Sequence, residues 1–304
     1  MGIKDRRTKI LLALQILPSV QADDKKFPSL IFDEKIQKLL NLSMNQKTKS
    51  MLAGMVKEGV IEKTSQQSAV GNNQSVETHH DASAQSAVGS QQLSQLNQSN
   101  ADSTDSTDST DLTSYRLTNV GFSELCFQFP FFRFLKEEWD GKWRIISYEI
   151  PESKREIRDH LRREMQGWGL GPWHRSFWLT PHPVFERLKE LVVGKEEEKY
   201  IQAFSADHSF GQRAILIEKV WMIKELDKKY REMFKKWHDI LASDVETNLD
   251  SPKNSKIEKF LQVISEYVTL LREDPGLPKQ LIGEQWIGFE AYNIFKEIKS
   301  ILLS

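Results

Sequence analysis

"WDGKWRIISYEIPESKREIRDHLRREMQGWGLGPWHRSFWLTPHP", Trp139 to Pro183, is the stretch on which the fold turns. "WRIISYEIP" reads as a strand, because Ile145, Ile146 and Tyr148 suit a pleated, half-buried surface. Pro151 ends it, having no N–H to donate. "ESKREIRDHLRREMQGWG" follows as a helix, with Ile157, Leu161 and Met165 on one face. "RSFWLTP" is a second strand, "VFERLKELVVG" a second helix and "YIQAFSA" a third strand. "RAILIEKVW", starting at Arg213, is either a fourth strand or the start of a helix. Strands alternating with helices over about 75 residues predict a ferredoxin-like α+β sandwich, placed at 139–212.

Beyond it, "KELDKKYREMFKKWHDIL" (Lys224 to Leu241) carries Leu226, Tyr230, Phe234 and Trp237 on one stripe. That is an amphipathic helix for an interdomain or dimer contact rather than a membrane surface. Residues 213–304 are expected to form a helical C-terminal domain.

Before it lies a basic module. A first amphipathic helix is expected from about Arg6 to Leu17, with Ile10, Leu11, Leu14 and Leu17 inward and Pro18 as its stop. A second, "FDEKIQKLLNL", turns Ile36, Leu39 and Leu40 inward, with Asp33 at its positive end. A third, "NQKTKSMLAGMVKEG", buries Met51, Leu52, Met55 and Val56 and ends at Gly59. Gln46, Lys47, Lys49, Ser50 and Lys57 fall mostly off that stripe. "VIEKT" then begins a strand, and "TSYRLT" supplies its partner before "TNVGFSEL" starts another helix. Helices joined by a short turn, followed by a hairpin, predict a winged helix-turn-helix over 1–125. A helix with Gln, Lys and Ser on its free face suits the major groove of DNA. A plain helical bundle with a solvated lysine face is the alternative. In the DNA-binding reading the contacts come from Gln46, Lys47, Lys49, Ser50 and Lys57, with Lys63 and Arg116 on the wing strands.

Between those two strands lies a tract from Thr64 to Leu112 without one Lys or Arg and with six acids. It repeats "QSAVG" and carries "STD" three times. It has too little apolar surface to fold and is expected to be a disordered insert at the wing tip. Closing a longer hairpin loop costs only about 0.6 kcal/mol per doubling of length. His79 and His80 sit in this tract, but two adjacent histidines without further ligands do not make a metal site.

The net charge of −1 names no partner by itself. Its distribution does more: residues 1–63 hold 12 Lys and Arg against 7 Asp and Glu, a basic balance that points to nucleic acid. Cys126 is the only cysteine, so no intrachain disulfide forms, which fits a cytoplasmic location. No run of about 18 apolar residues predicts a membrane span. The first 22 residues have the polarity of a secretory signal, but Gln15 breaks the apolar run and helical spacing fits better.

Together these segments carry a family resemblance. "MLAGMVKEGVIEK", "SYRLTNVGFSEL", the Trp139–Pro181 stretch and "DPGLPKQLIGEQWIGFEAYNIFKEI" (Asp274 to Ile298) resemble PaaX-type transcriptional repressors over nearly the whole chain outside the insert. The resemblance implies a homodimeric repressor that binds double-stranded DNA and answers to an acyl-CoA. The residues themselves leave the small-molecule effector unidentified, and neither a cofactor nor enzymatic activity is expected.

The middle segment is also similar to small ferredoxin-like CRISPR-associated nucleases, which hold a metal with an Asp at the end of the first strand. Glu149 stands there, and Glu can bind Mg²⁺. The competing reading is a solvated or salt-bridged carboxylate near Lys154 and Arg155. Trp168, Trp173 and Trp178 are expected to pack the core, with base stacking as the functional alternative. His174 and His182, which flank the second strand, are expected to be structural.

Overall fold

Helix α1 (Arg6–Ile16) starts where the Asp5 carboxylate accepts from the Thr8 N–H at 2.6 Å. The sequence predicts an amphipathic helix. Instead α1 is buried nearly all round, including Leu12, Ala13 and Ile16. The reason is tertiary, since segments from later in the chain cover what would have been its solvent face. Strand β1 (Leu30–Ile31), helix α2 (Glu34–Leu40), helix α3 (Gln46–Lys57), strands β2 (Ile61–Thr64) and β3 (Ser114–Leu117), and helix α4 (Asn119–Gln128) complete the N-terminal part. The strands form an antiparallel sheet in the order β1-β3-β2. Strand β1 has only two residues and gives no periodic signal in the sequence.

The computed structural model describes residues 5–18, 27–64, 113–165, 167–174, 176–246 and 253–303. Thr64 pairs directly with Ser114, so the intervening residues join the two strands of one hairpin. The disorder expected of that tract, its repeats, and His79 and His80 lie outside the described residues.

A 3-10 helix, Pro130–Leu135, leads into the middle part. There β4 (Lys142–Tyr148), α5 (Arg155–Glu164), β5 (Gly171–His174), β6 (Phe177–Thr180), α6 (Phe185–Val192) and β7 (Ile201–Asp207) follow in order. The sheet order is β5-β6-β4-β7, with every pair antiparallel. This is the βαββαβ arrangement of a ferredoxin-like domain. The segment from Arg213 is settled as a helix, α7 (Arg213–Trp221). The fourth strand is "GPWH", immediately before β6 and irregular between Pro172 and His174. It hid in the sequence because Gly and Pro weaken a strand reading, and as an edge strand it tolerates both.

Both faces of the sheet are covered. Ile146 packs with Leu161, Met165, Val184 and Leu188 from α5, α6 and their flanks. On the other side Trp143 and Leu179 meet Ile217 and Val220 of α7 and Leu277. Trp168 is buried and Trp178 half-buried, but Trp173 is 39% exposed, which corrects its expected place in the core. It sits on the short edge strand, where few neighbours can cover it.

Helices α8 (Ile223–Glu246), α9 (Lys253–Glu273), α10 (Lys279–Ile282) and α11 (Ile287–Leu303) finish the chain. In α8, Leu226, Tyr230 and Trp237 form the buried stripe read from the sequence, with Phe234 at its margin. The largest apolar core runs without a break from Ile10 and Leu14 of α1 to Phe295 and Leu302 of α11. Phe131 is its pivot, 6.4 Å from the Tyr267 ring and 6.3 Å from the Tyr292 ring. The Lys299 ammonium donates to the carbonyls of Ile16, Leu17 and Pro18 at 3.2, 3.4 and 2.7 Å. A cation there suits the negative end of α1. No described helix is long and apolar enough to cross a membrane.

Candidate nucleic-acid interface

The sequence fixes helix α3 at both ends. Asn45 caps it by accepting from the Thr48 N–H at 3.1 Å. At the far end Gly59 takes φ +71°, its N–H donates to Val56, and the Val60 N–H donates to Met55 at 2.9 Å. That is a Schellman closure, which needs a residue without the Cβ penalty in the left-handed region. The turn before α3 is held by Gln37, whose amide nitrogen donates to Phe32 and whose oxygen accepts from the Met44 N–H.

With the ends fixed, the sides follow. Thr48, Leu52 and Met55 are buried, and Met51 and Val56 are half-buried. Gln46, Lys47, Lys49, Ser50 and Lys57 are all exposed. At 100° per residue, Gln46, Ser50 and Lys57 share one line and Lys47 and Lys49 flank it. Lys63 is exposed on β2. Arg116 on β3 is only half-exposed, because its guanidinium holds Glu62 across the strand pair at 2.5 Å. Among the described residues of the hairpin, Lys63 is exposed and Arg116 is already engaged.

This face is braced from behind by α4. Thr118 caps α4 and donates its hydroxyl to the carbonyl of Gly59 at 2.6 Å. Gly121 lies so close that a Cβ there would stand 2.1 Å from the Val60 carbonyl oxygen. Arg7 reaches both Glu58 at the exit of α3 and Glu124 of α4, at 2.7 and 2.6 Å. The Glu124 hydrogen bonds hold its guanidinium firmly protonated.

Glu149 lies just past β4, exposed, with its N–H donating to the Tyr200 carbonyl. Among the described residues no group of three or more His, Cys, Asp and Glu side chains comes together to hold a metal ion. His174 is exposed. His182 is buried at the joint between the sheet and the C-terminal helices, donating Nε2–H to the Pro275 carbonyl at 3.0 Å. Its Nδ1 lies 3.6 Å from Glu137, which also holds the buried Arg133 at 2.7 Å. Burial pushes the His182 ring below its ordinary range, against the pull of Glu137. Cys126 is buried and its thiol is pushed up to about 12 by burial, so it is not a nucleophile.

Sequence reasoning missed a cleft of about 560 Å³ between the middle and C-terminal segments, with Arg162, Arg163 and Arg272 in its walls. About 110 residues separate its two sides along the chain, and no local pattern joins them.

Family models match the middle and C-terminal parts of the chain. Residues 136–215 match the family model described as the PaaX protein central Cas2-like domain, and residues 221–304 match that of the PaaX-like protein C-terminal domain. The chain belongs to the PaaX family. Among solved structures it is similar to an uncharacterized protein, Rv0674, from Mycobacterium tuberculosis. The two share 14% identity over 98% of this chain and 99% of that one, with a TM-score of 0.41. No curated protein matches it.

Proposed function

We propose that this PaaX-family chain is a DNA-binding transcriptional regulator, a homodimeric repressor that a small-molecule effector releases. It works in the cytoplasm by binding rather than by catalysis. Its parts are a winged helix-turn-helix (1–125, with the insert at 64–112), a ferredoxin-like middle domain (139–212) and a helical C-terminal domain (213–304).

One observation carries the reading: α3 turns Gln46, Lys47, Lys49, Ser50 and Lys57 to solvent while its opposite side is anchored in the core. A helix held at both ends, with polar and cationic side chains outward, can enter a major groove and meet base edges and phosphates together. The β2–β3 hairpin beside it presents Lys63 as a backbone contact. A dimer of this shape reads two half-sites one helical turn apart, or a multiple of it.

The test is binding of the purified chain to the DNA upstream of its own gene. Fluorescence anisotropy is followed across a salt series with Mg²⁺ present, and the DNA is checked for cleavage. Preference over a scrambled sequence with steep salt dependence and intact DNA supports the regulator. DNA cut by the wild type and spared by Glu149→Ala replaces it with the nuclease reading.

A further inference from the structure

The missed cleft has an unusual balance of charge. Its walls include three acids and three arginines. The acids are all engaged elsewhere. Asp159 faces Arg155 at 3.5 Å, and Glu273 holds Lys229 at 2.5 Å. The Asp274 carboxylate is buried and accepts from the Gly276 N–H, the Tyr230 hydroxyl and the Trp286 indole. Arg162, Arg163 and Arg272 are exposed, and none has an ion-pair partner among the described residues. Arg162 lies over the Trp178 ring and Arg272 over the Phe129 ring, but with no ion pair among the described residues three guanidiniums around one hollow repel one another unless an anion joins them, and their planar forks match carboxylate or phosphate.

The apolar wall is equally specific. Tyr148 and Trp178 stack with ring centres 6.3 Å apart and planes 11° from parallel. The Arg162 guanidinium lies 5.8 Å from the Trp178 ring centre. A flat surface beside a cluster of cations fits a flat ligand with a charged end. The volume lies within the roughly 300–1,000 Å³ of small-molecule sites.

We propose that this cleft binds a small planar aromatic anion, its ring against Tyr148 and Trp178 and its carboxylate or phosphate on Arg162, Arg163 and Arg272. The two walls come from different parts of the chain, so the ligand ties the middle sheet to the end of α9. The loop on the α9 side is tightly packed. Gly276 packs so tightly on Pro130 that a Cβ would stand 2.0 Å from its carbonyl oxygen. Pro130 opens the 3-10 helix that continues from α4, and α4 braces α3 through Thr118 and Gly121. Ligand binding is an intrinsic property of the cleft. Its use as the effector site rests on the regulator reading.

The test is calorimetric titration of the full chain, without DNA, with four probes: 2-naphthoate, adenosine monophosphate, inorganic phosphate and 2-naphthylmethanol. The expected result is saturable 1:1 binding of at least one aromatic anion with Kd below about 1 mM, and weaker binding of bare phosphate and of the neutral alcohol. Whichever of 2-naphthoate and adenosine monophosphate binds tighter identifies the preferred pairing of ring and anionic group. Arg162→Gln with Arg272→Gln weakens binding about tenfold or more, and Trp178→Leu weakens it while thermal unfolding stays cooperative. Binding of neither aromatic anion, equal binding of the alcohol, or affinity unchanged in the arginine variants overturns the proposal. So does retention of a short single-stranded oligonucleotide through these arginines with no probe bound. Because double-stranded DNA is left out, failure here does not touch the DNA-binding reading, and failure of that reading does not touch this site.

Discussion

The Ser114 hydroxyl donates to the Thr64 carbonyl at 2.7 Å, although fifty positions separate the two residues. They close the last rung of the β2–β3 ladder, so everything between them is one hairpin connection. Replacing residues 65–113 with Asn-Gly shortens that connection by roughly four and a half doublings. The expected gain is on the order of 2.8 kcal/mol at about 0.6 kcal/mol per doubling, with a turn suited to a two-residue hairpin. Urea unfolding of the full and shortened chains checks this. A shortened chain less stable than the original means that the tract makes stabilising contacts.

Gly121 is the tightest brace behind α3. A methyl group there meets the Val60 carbonyl oxygen at 2.1 Å, and both belong to backbone that cannot swing aside. Gly121→Ala is expected to cost about 3 kcal/mol and to weaken any DNA binding by tilting α3. The comparison is Ser123→Ala on the exposed side of the same helix, expected within about 0.5 kcal/mol of the parent.

Lys299 is the one described side chain that ties α11 to the end of α1 through three carbonyls. Lys299→Met keeps the length of the stem and removes the donors. A loss of about 2 kcal/mol is expected, the penalty for carbonyls left unsatisfied next to a helix end. Thermal unfolding reads it. No change in Tm means that water takes over the carbonyls at no cost.

Acid is expected to weaken the joint around His182. Burial holds its folded pKa below the ordinary 6.5, so the neutral ring is the stable form. Its contribution is complete above 6.5 and declines as pH falls below that value, because the unfolded chain then takes up the proton first. Glu137 acts in the same direction at lower pH. Burial works against its carboxylate, but His182 and Arg133 overcome that and hold its pKa below 4.5, so its contribution is lost as pH falls through that lower range. Tm should drop in two stages as pH falls, the first setting in near pH 6.5 and the second below about pH 4.5, and His182→Gln should remove the upper one. A Tm that is flat from pH 7 to pH 5 refutes the first stage.

On the candidate DNA face, Lys49→Ala is expected to weaken binding to all sequences and to reduce the salt slope by about one. Glu62→Gln tests the hairpin. It removes an acid and releases Arg116 from its 2.5 Å ion pair, so non-specific affinity rises. An unchanged slope in the first variant and unchanged affinity in the second move the interface away from α3 and the hairpin.

What could be read from the sequence was local. Asn45 and Gly59 bound α3 because capping chemistry acts within a few residues, and the stripe of α8 shows because its spacing repeats. The hairpin was legible across its long tract because both strands carry their own signal. Tertiary contact decided the rest. Helix α1 reads as one-sided but is enclosed, since Lys299 and the C-terminal helices lie nearly three hundred positions away. The edge strand Gly171–His174 has no strand-like composition and exists because β6 offers it a partner. Arg162 and Arg272 look like ordinary solvated cations one at a time. Only folding brings them around one cleft, because the energy that places them comes from cores that neither residue belongs to.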